Sequence, residues 1–395
     1  MTVPRDRLVV LGATGSIGAS ALEVAAELGD RIAVEGLSCH RGWRELAALV
    51  ARWRPRAVAI ADEDAWREAR AAAAFPSGLA VLGGATGLCE LAAMDGVDVV
   101  LNGIVGAAGL EATLAALSAG KRVALANKES LVVGGDLVRA AVGGDMLASG
   151  RVLPVDSEHN AIWQLLAGRR GDEVRRIVLT ASGGPFRRTP ADRLAAVTAA
   201  EALAHPTWDM GPKISIDSAT LANKGLEVIE AHHLFGLPYE RIDVTVHPQS
   251  IVHGLVEWKD GTLFAELGKP DMKLPIRSAL AWPDRAEGPA ADLAELGGLT
   301  FEPPDFERFP ALAIARSAGE AGGTAPAVFN AVNEVAVALF LDGRIGFLDI
   351  PALCARVLDA HEPRAVDSLA MLMEVDRWAR AEALAVRPAS STTYL

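Results

Sequence analysis

The sequence predicts an α/β protein with an N-terminal doubly wound parallel-sheet domain, a central α+β domain and a C-terminal helical bundle. Three observations carry this. Short apolar runs alternate with amphipathic helical stretches from Leu8 to about Val155; beyond that, strands are separated by longer polar segments containing Gly and Pro; from Ala311 helical periodicity returns. At 395 residues the chain exceeds what one core usually supports, and with 51% apolar but only 5% aromatic residues its bulk comes from Ala, Val and Leu, suited to helices packed on buried strands.

In the first domain, expected over residues 1–152, the strands are Leu8–Leu11, Ile32–Leu37, Ala57–Ala61, Val97–Leu101, Val123–Ala126 and Val152–Val155. Ala19–Leu28, Trp43–Trp53 and Leu110–Ala119 are amphipathic and long enough to be crossovers of a parallel sheet. A catalytic domain over 153–284 holds strands Ile177–Thr180, Ile242–Val246, Ile251–Glu257 and Leu263–Glu266. Pro and acidic residues then mark a linker over 285–310, followed by helices from 311 that end in Leu369–Ala385 and a disordered Ser390–Thr393.

A net charge of −12 argues against nucleic acid or an anionic membrane as partner. Cys39, Cys89 and Cys354 are odd in number and lack metal-like spacing, which fits a reducing compartment without disulfides or zinc. Met1 to Arg7 leaves no room for a signal peptide's apolar stretch, and no run approaches the ~20 apolar residues of a spanning helix. A cytoplasmic location is expected.

Between the first strand and first helix stands Gly12-Ala13-Thr14-Gly15-Ser16-Ile17-Gly18. Glycines there permit a tight turn and close approach to a pyrophosphate, at a helix N-terminus that offers free N–H groups, as in a Rossmann-like dinucleotide site. Ser38-Cys39-His40-Arg41-Gly42 follows the second strand; Glu35 lies inside that strand, and the cation Arg41 suits a 2′-phosphate, hence NADP.

Asn127-Lys128-Glu129-Ser130 ends a strand at the sheet's carboxyl edge, where Lys128 can donate to a substrate oxygen. In Pro154-Val155-Asp156-Ser157-Glu158-His159-Asn160, read as an extended strand end, Asp156 and Glu158 point one way and Ser157 the other. Paired carboxylates call for a general acid/base role or a hard cation, Mg²⁺ or Mn²⁺ in preference to zinc. Asn223 and Glu227, four apart on a helix, offer an amide and a third carboxylate to one site, with Lys224 and Ser218 on its opening turns as a phosphate's cation and hydroxyl. Ser182 in Thr180–Phe186 is a further phosphate candidate; His205-Pro206-Thr207-Trp208-Asp209-Met210-Gly211 reads as a mobile flap, and His247 and His253 as mainly structural.

Together with His247-Pro248-Gln249-Ser250, Pro270-Asp271-Met272 and Asn330-Ala331-Val332-Asn333-Glu334, these blocks run in order through nearly the whole chain and closely resemble the 1-deoxy-D-xylulose 5-phosphate reductoisomerase family. The resemblance implies metal held by Asp156, Glu158 and Glu227, with Lys128, Ser157, Ser182, His205, Ser218, Asn223 and Lys224 around substrate. Lys128, Glu158 and His205 would act in catalysis. It implies NADPH contacts from Thr14, Gly15, Ser16, Ile17, His40, Arg41, Gly42, Asn127, Glu129 and Gly211. It further implies a homodimer, inhibition by fosmidomycin, and rearrangement and reduction of a phosphorylated ketose to 2-C-methyl-D-erythritol 4-phosphate in the non-mevalonate isoprenoid route. The chain departs from the commoner pattern at His40-Arg41-Gly42, Val105-Gly106 and Val332. A reductase acting without rearrangement, and a nucleotide-sensing protein that has lost catalysis, are the alternatives.

Overall fold

The computed structural model describes residues 6–208 and 210–385; the terminal Ser390–Thr393 and Asp209 of the flap segment lie outside them. The chain forms two compact units, one of residues 1–130, 138–164 and 271–291, the other of 131–137, 165–270 and 292–395.

The first unit is built on a seven-stranded parallel sheet, β1 (Asp6–Leu11), β2 (Ile32–Cys39), β3 (Ala57–Ile60), β4 (Ala80–Gly83), β5 (Val99–Asn102), β6 (Arg122–Leu125) and β7 (Val152–Pro154), in the order β4-β3-β2-β1-β5-β6-β7. Its central strands bury a core of Val, Leu, Ala and Ile, from Leu8 to Leu11 in β1 and throughout β5, as strands covered on both faces must. Six of the seven strands are legible as apolar runs. The seventh, β4, is a short edge strand; its apolar run Ala80 to Leu82, partly exposed, was not read as a strand.

The strand order reverses between β1 and β5, and at such a switch point the carboxyl ends leave a crevice. The chain leaves β1 through Gly12, whose φ of 79° favours glycine, and enters the helix Ser16–Leu28. A side chain at Gly12 would lie 2.9 Å from the Gly103 carbonyl oxygen beyond β5; one at Gly18 would lie 2.3 Å from the Gly12 carbonyl oxygen. The turn and the helix therefore pack backbone against backbone. Residues 271–291 return to this unit, where Arg277 and Lys273 pair with Glu27 and Glu23 of that first helix.

The second unit carries a four-stranded mixed sheet of β8 (Val174–Ala181), β9 (Ile242–Val246), β10 (Val252–Trp258) and β11 (Leu263–Leu267), ordered β11-β10-β8-β9. β8 and β9 are parallel; β10 runs antiparallel to β8 and β11. Helices Pro212–Thr220 and Ala222–Phe235 precede β9. The helices Ala311–Ala321, Ala325–Leu341, Asp349–Asp359 and Leu369–Ala385 then form a bundle around Val328, Phe329, Val332 and Phe347. Gly225 meets Ala315 with no room for a Cβ, so the helix after Leu221 sits hard against the bundle. Among the described residues no helix is long and apolar enough to cross a membrane.

Gly18→Val should lower the midpoint of urea unfolding, by ~1–3 kcal/mol of stability, because the branched side chain must displace the Gly12–Ala13 backbone; an unchanged midpoint would show the turn to be pliable.

Candidate functional site

Each unit presents a cluster of the residues singled out above. In the first, Thr14, Gly15 and Ser16 are exposed and Ile17 is half-buried at the mouth of the β1 turn. Gly15, the N-cap, supplies no side chain to the first turn of the 13-residue helix Ser16–Leu28, leaving its N–H groups for a ligand. The turn is braced from β2, where Ser38 Oγ accepts from the Gly12 N–H at 3.0 Å and the Ser38 carbonyl accepts from Ala13 N at 2.7 Å. His40 and Arg41 are exposed just past β2, beside half-buried Gly42. Arg41 lies 3.7 Å from Asp62, a residue the sequence reading passed over; Asp62 also caps the helix Glu63–Ala71 by accepting from Ala65 N, which with Arg41 keeps its carboxyl below the ordinary range. Glu35 is inside β2, as read, and faces Arg56 at 3.7 Å.

Cys39, at the end of β2 just before His40, is buried, and burial pushes its thiol up to about 12.

Asn127 caps the helix Lys128–Ala141 through a Ser130 N bond of 3.0 Å. Its amide donates to the Ile104 and Gly106 carbonyls at 2.7 and 2.8 Å and to Glu129 at 3.0 Å. Asn102, fully buried at the end of β5, ties the other side of this loop by donating to the Gly109 carbonyl and accepting from Ile104 N. These two amides set the loop after β5, a role signalled only by a polar residue ending each apolar run.

Lys128 opens its helix 6% exposed and pairs with Asp156 at 2.5 Å. The extended reading of Asp156 to Glu158 is overturned: β7 stops at Pro154 and Ser157–Leu166 is helical. The Asp156 carbonyl accepts from Asn160 N, the first bond of that helix. Asp156 thus stands at the helix entrance, while Glu158 lies in the first turn and accepts from Ser157 Oγ at 2.5 Å. The carboxylates share a neighbourhood through a helix start, not through strand alternation.

In the second unit, Gly184 is the contact between the loop after β8 and the helix Pro212–Thr220. Its missing side chain would lie 2.8 Å from the Ser218 carbonyl oxygen, and its N–H donates to Ser182 Oγ at 3.2 Å. Ser182 Oγ is 3.0 Å from His205 Nε2. Ser182, His205 and Ser218 therefore gather at one place. His205 Nδ1 accepts from the N–H groups of Thr207 and Trp208 at 3.1 and 3.0 Å, which leaves the ring proton on Nε2 to donate to Ser182 Oγ. Burial holds the His205 pKa below its ordinary value. From His205 to Gly211 the described residues form no helix or strand.

Ser218 does not belong to the helix of Asn223, as the sequence reading had it. It ends the helix Pro212–Thr220; Leu221, in the left-handed region at φ 62°, separates this from Ala222–Phe235. On the second helix Asn223 Nδ2 donates to Glu227 Oε1 at 2.5 Å, as their shared face predicted, and Lys224 Nζ pairs with Glu227 Oε2. Lys224 and Glu227 are both buried. The neighbouring turn holds a network that sequence reading missed: Asp217, 1% exposed, accepts from Asn333 Nδ2 at 2.7 Å and pairs with Lys213 at 3.0 Å. Asn333 lies on the helix Ala325–Leu341, so this network orients the helix that presents Ser218.

Family models described as 1-deoxy-D-xylulose 5-phosphate reductoisomerase, its C-terminal domain, and the DXP reductoisomerase C-terminal domain match residues 8–135, 152–235 and 267–382. A 1-deoxy-D-xylulose 5-phosphate reductoisomerase of Chlorobium chlorochromatii is 52% identical over 377 residues, 94% of this chain and 97% of that protein. The chain belongs to the 1-deoxy-D-xylulose 5-phosphate reductoisomerase family. A second reductoisomerase, from Pelotomaculum thermopropionicum, is 51% identical over 94% of this chain and 96% of its own length. Among solved structures, the Zymomonas mobilis reductoisomerase in complex with NADPH superposes with a TM-score of 0.89 at 46% identity, covering 98% of this chain and all of that one. A DOX-P reductoisomerase in complex with NADPH, fosmidomycin and magnesium gives 0.87 at 39% identity over 96% of this chain and 98% of that one.

The state of His205 gives a sign-definite expectation. With its folded pKa lowered by burial, the unfolded chain takes up a proton below about pH 6.5 that the folded chain refuses. The stability contributed by neutral His205 is complete above about pH 6.5 and declines as pH falls from there towards the folded pKa. Urea midpoints measured from pH 7.5 to 5 should fall less steeply in His205→Gln than in the unaltered chain; parallel curves would exclude the neutral assignment.

Proposed function

We propose that this chain catalyses the NADPH- and divalent-metal-dependent conversion of 1-deoxy-D-xylulose 5-phosphate to 2-C-methyl-D-erythritol 4-phosphate. The carrying observation is that a chain about half identical to these reductoisomerases over nearly its full length pairs Lys128 with Asp156 and Lys224 with Glu227.

The β1 turn fits a dinucleotide: glycines without room for side chains, an uncapped helix N-terminus, and exposed Thr14, Gly15 and Ser16. Ile17, His40, Arg41, Gly42 and Gly211 would add contacts, Arg41 towards the 2′-phosphate, with Asn127 and Glu129 shaping the adjoining wall. For the metal, the donor chemistry is the test. Asp156, Glu158 and Glu227 offer hard carboxylate oxygens, the donor type that Mg²⁺ and Mn²⁺ take, so either ion fits. When bound there, such an ion supplies Lewis-acid polarisation of the substrate's oxygens.

The chain's own residues do the rest. Ser182, Ser218, Asn223 and Lys224 would hold the phosphate, with two hydroxyls, an amide and an ammonium matched to its oxygens. Ser157 would orient Glu158, and the pair would move the proton of a substrate hydroxyl while Lys128 donates to the oxygen that gains charge as carbon–carbon bonds break and rejoin. Neutral His205 keeps its Nε2 proton as a donor. Trp208, on the same segment, would exclude water during the reduction. A cytoplasmic homodimer completes the reading, supported by the family resemblance and by three cysteines without a disulfide.

NADPH oxidation should require both 1-deoxy-D-xylulose 5-phosphate and Mg²⁺ or Mn²⁺, stop with EDTA, and give methylerythritol phosphate by NMR. Oxidation without rearrangement would instead mark a plain reductase, and NADPH binding without oxidation a sensor. Glu227→Gln should abolish turnover while NADPH affinity, read by fluorescence titration, stays within about twofold; equal loss of both would remove Glu227 from the metal.

A further inference from the structure

The block Asn330-Ala331-Val332-Asn333-Glu334 has no part in the function proposed above, yet both asparagines are fully buried in an otherwise apolar stretch of the helix Ala325–Leu341. A buried amide costs stability unless it is hydrogen-bonded, and Val or Leu would fill the same space without that cost. Each amide meets a carboxylate: Asn330 Nδ2 donates to Glu334 Oε1 at 3.1 Å, and Asn333 Nδ2 to Asp217 Oδ1 at 2.7 Å. Glu334 is held in turn by Arg380 of the helix Leu369–Ala385, at 2.6 Å. One turn of Ala325–Leu341 is thereby tied to two other helices, to Leu369–Ala385 through Glu334 and to Pro212–Thr220 through Asn333.

On Pro212–Thr220, every residue from Ser215 to Thr220 is buried except Ser218, which is half-buried. Successive residues of a helix stand ~100° apart, so the direction of Asp217 sets that of Ser218. The buried Ile216 and Ala219 make apolar, non-directional contacts that tolerate a small rotation, and the Ser215 and Thr220 hydroxyls bond within their own helix, to the Gly211 and Ile216 carbonyls. The Asp217–Asn333 bond tolerates no such rotation, because a hydrogen bond weakens steeply off its axis. Turning the helix by ~20° moves a Cα at ~2.3 Å radius by roughly 0.8 Å, and a side-chain oxygen farther, which takes Ser218 out of bonding range of a ligand atom. The Gly184 contact bears on the Ser218 carbonyl and, being steric, sets how near that loop comes, not which way the hydroxyl turns. Lys213, one turn before Asp217 and just past Gly211, pairs with the second carboxylate oxygen at 3.0 Å, so the same acid also ties down the end of the flap segment.

We propose that Asn333 and Asp217 are positioning residues for substrate binding: their hydrogen bond fixes the rotation of Pro212–Thr220 and thereby aims the Ser218 hydroxyl. The bundle residue acts through Ser218 and touches no reacting atom. This rests on the reading of Ser218 as a phosphate ligand and assigns the residues that hold it in place.

The test is a double-mutant cycle on the full chain with 1-deoxy-D-xylulose 5-phosphate, NADPH and Mg²⁺. Asn333→Leu, which keeps the volume and removes the donor, should raise the substrate KM at least about fivefold, with kcat and the NADPH dissociation constant each within about twofold. Ser218→Ala should raise KM as well. The double variant should lie within about twofold of Ser218→Ala alone, because both changes remove one and the same interaction. A residue that serves stability alone would lower the urea midpoint and leave KM where it was, or multiply its effect with that of Ser218→Ala; either result overturns the proposal while Ser218 keeps its place. A Ser218→Ala chain with unchanged KM removes the phosphate reading of Ser218, and the proposal with it. Should Asn333→Leu not fold, Asn333→Ser, whose hydroxyl is too short to reach Asp217, carries the same cycle with the same outcomes.

Discussion

Buried carboxylates must be met by positive charge or hydrogen-bond donors, and much of the architecture around the two clusters follows from that demand. Asp156 is met by Lys128, Glu227 by Lys224 and Asn223, and Asp217 by Lys213 and Asn333. The partners come from different secondary-structure elements in two of the three cases that concern placement, β6 to β7 connections in the first unit and helix to helix in the bundle. Acidic groups that would repel one another in isolation thereby become the ties between elements.

A second constraint is backbone proximity. At Gly12, Gly18 and Gly184 one main chain lies against another with no space for a methyl group. Each of these contacts joins a loop to the element that carries a candidate ligand group: the dinucleotide turn to its helix, the Ser182 loop to Ser218. Small residues here fix distances between functional groups, much as the buried amides of Asn102 and Asn127 fix the loop after β5.

Most strands of the parallel sheet were legible because they are apolar runs ending in polar residues at the sheet's carboxyl edge, and the residues read as metal and phosphate candidates fall into the two clusters described. What escaped did so for identifiable reasons. β4 is a short, half-exposed edge strand whose apolar run, Ala80 to Leu82, was passed over. The stretch from Asp156 to Glu158 carries an alternation that mimics a strand, yet Asp followed by Ser and Glu is also a helix-entry signal, and the helix prevailed. The break at Leu221 had no glycine or proline to announce it, so two helices were read as one. The Asp217–Asn333 pair spans 116 residues, a separation that no local pattern can report.

Leu221 deserves a last consideration as mechanics. A leucine in the left-handed region is disfavoured by ~1–2 kcal/mol, and its side chain is buried, so the surrounding packing imposes the conformation instead of the residue choosing it. Such a joint resists bending where a glycine would permit it. The helices on either side consequently behave as a single bent lever, with Ser218 on one arm and Asn223, Lys224 and Glu227 on the other.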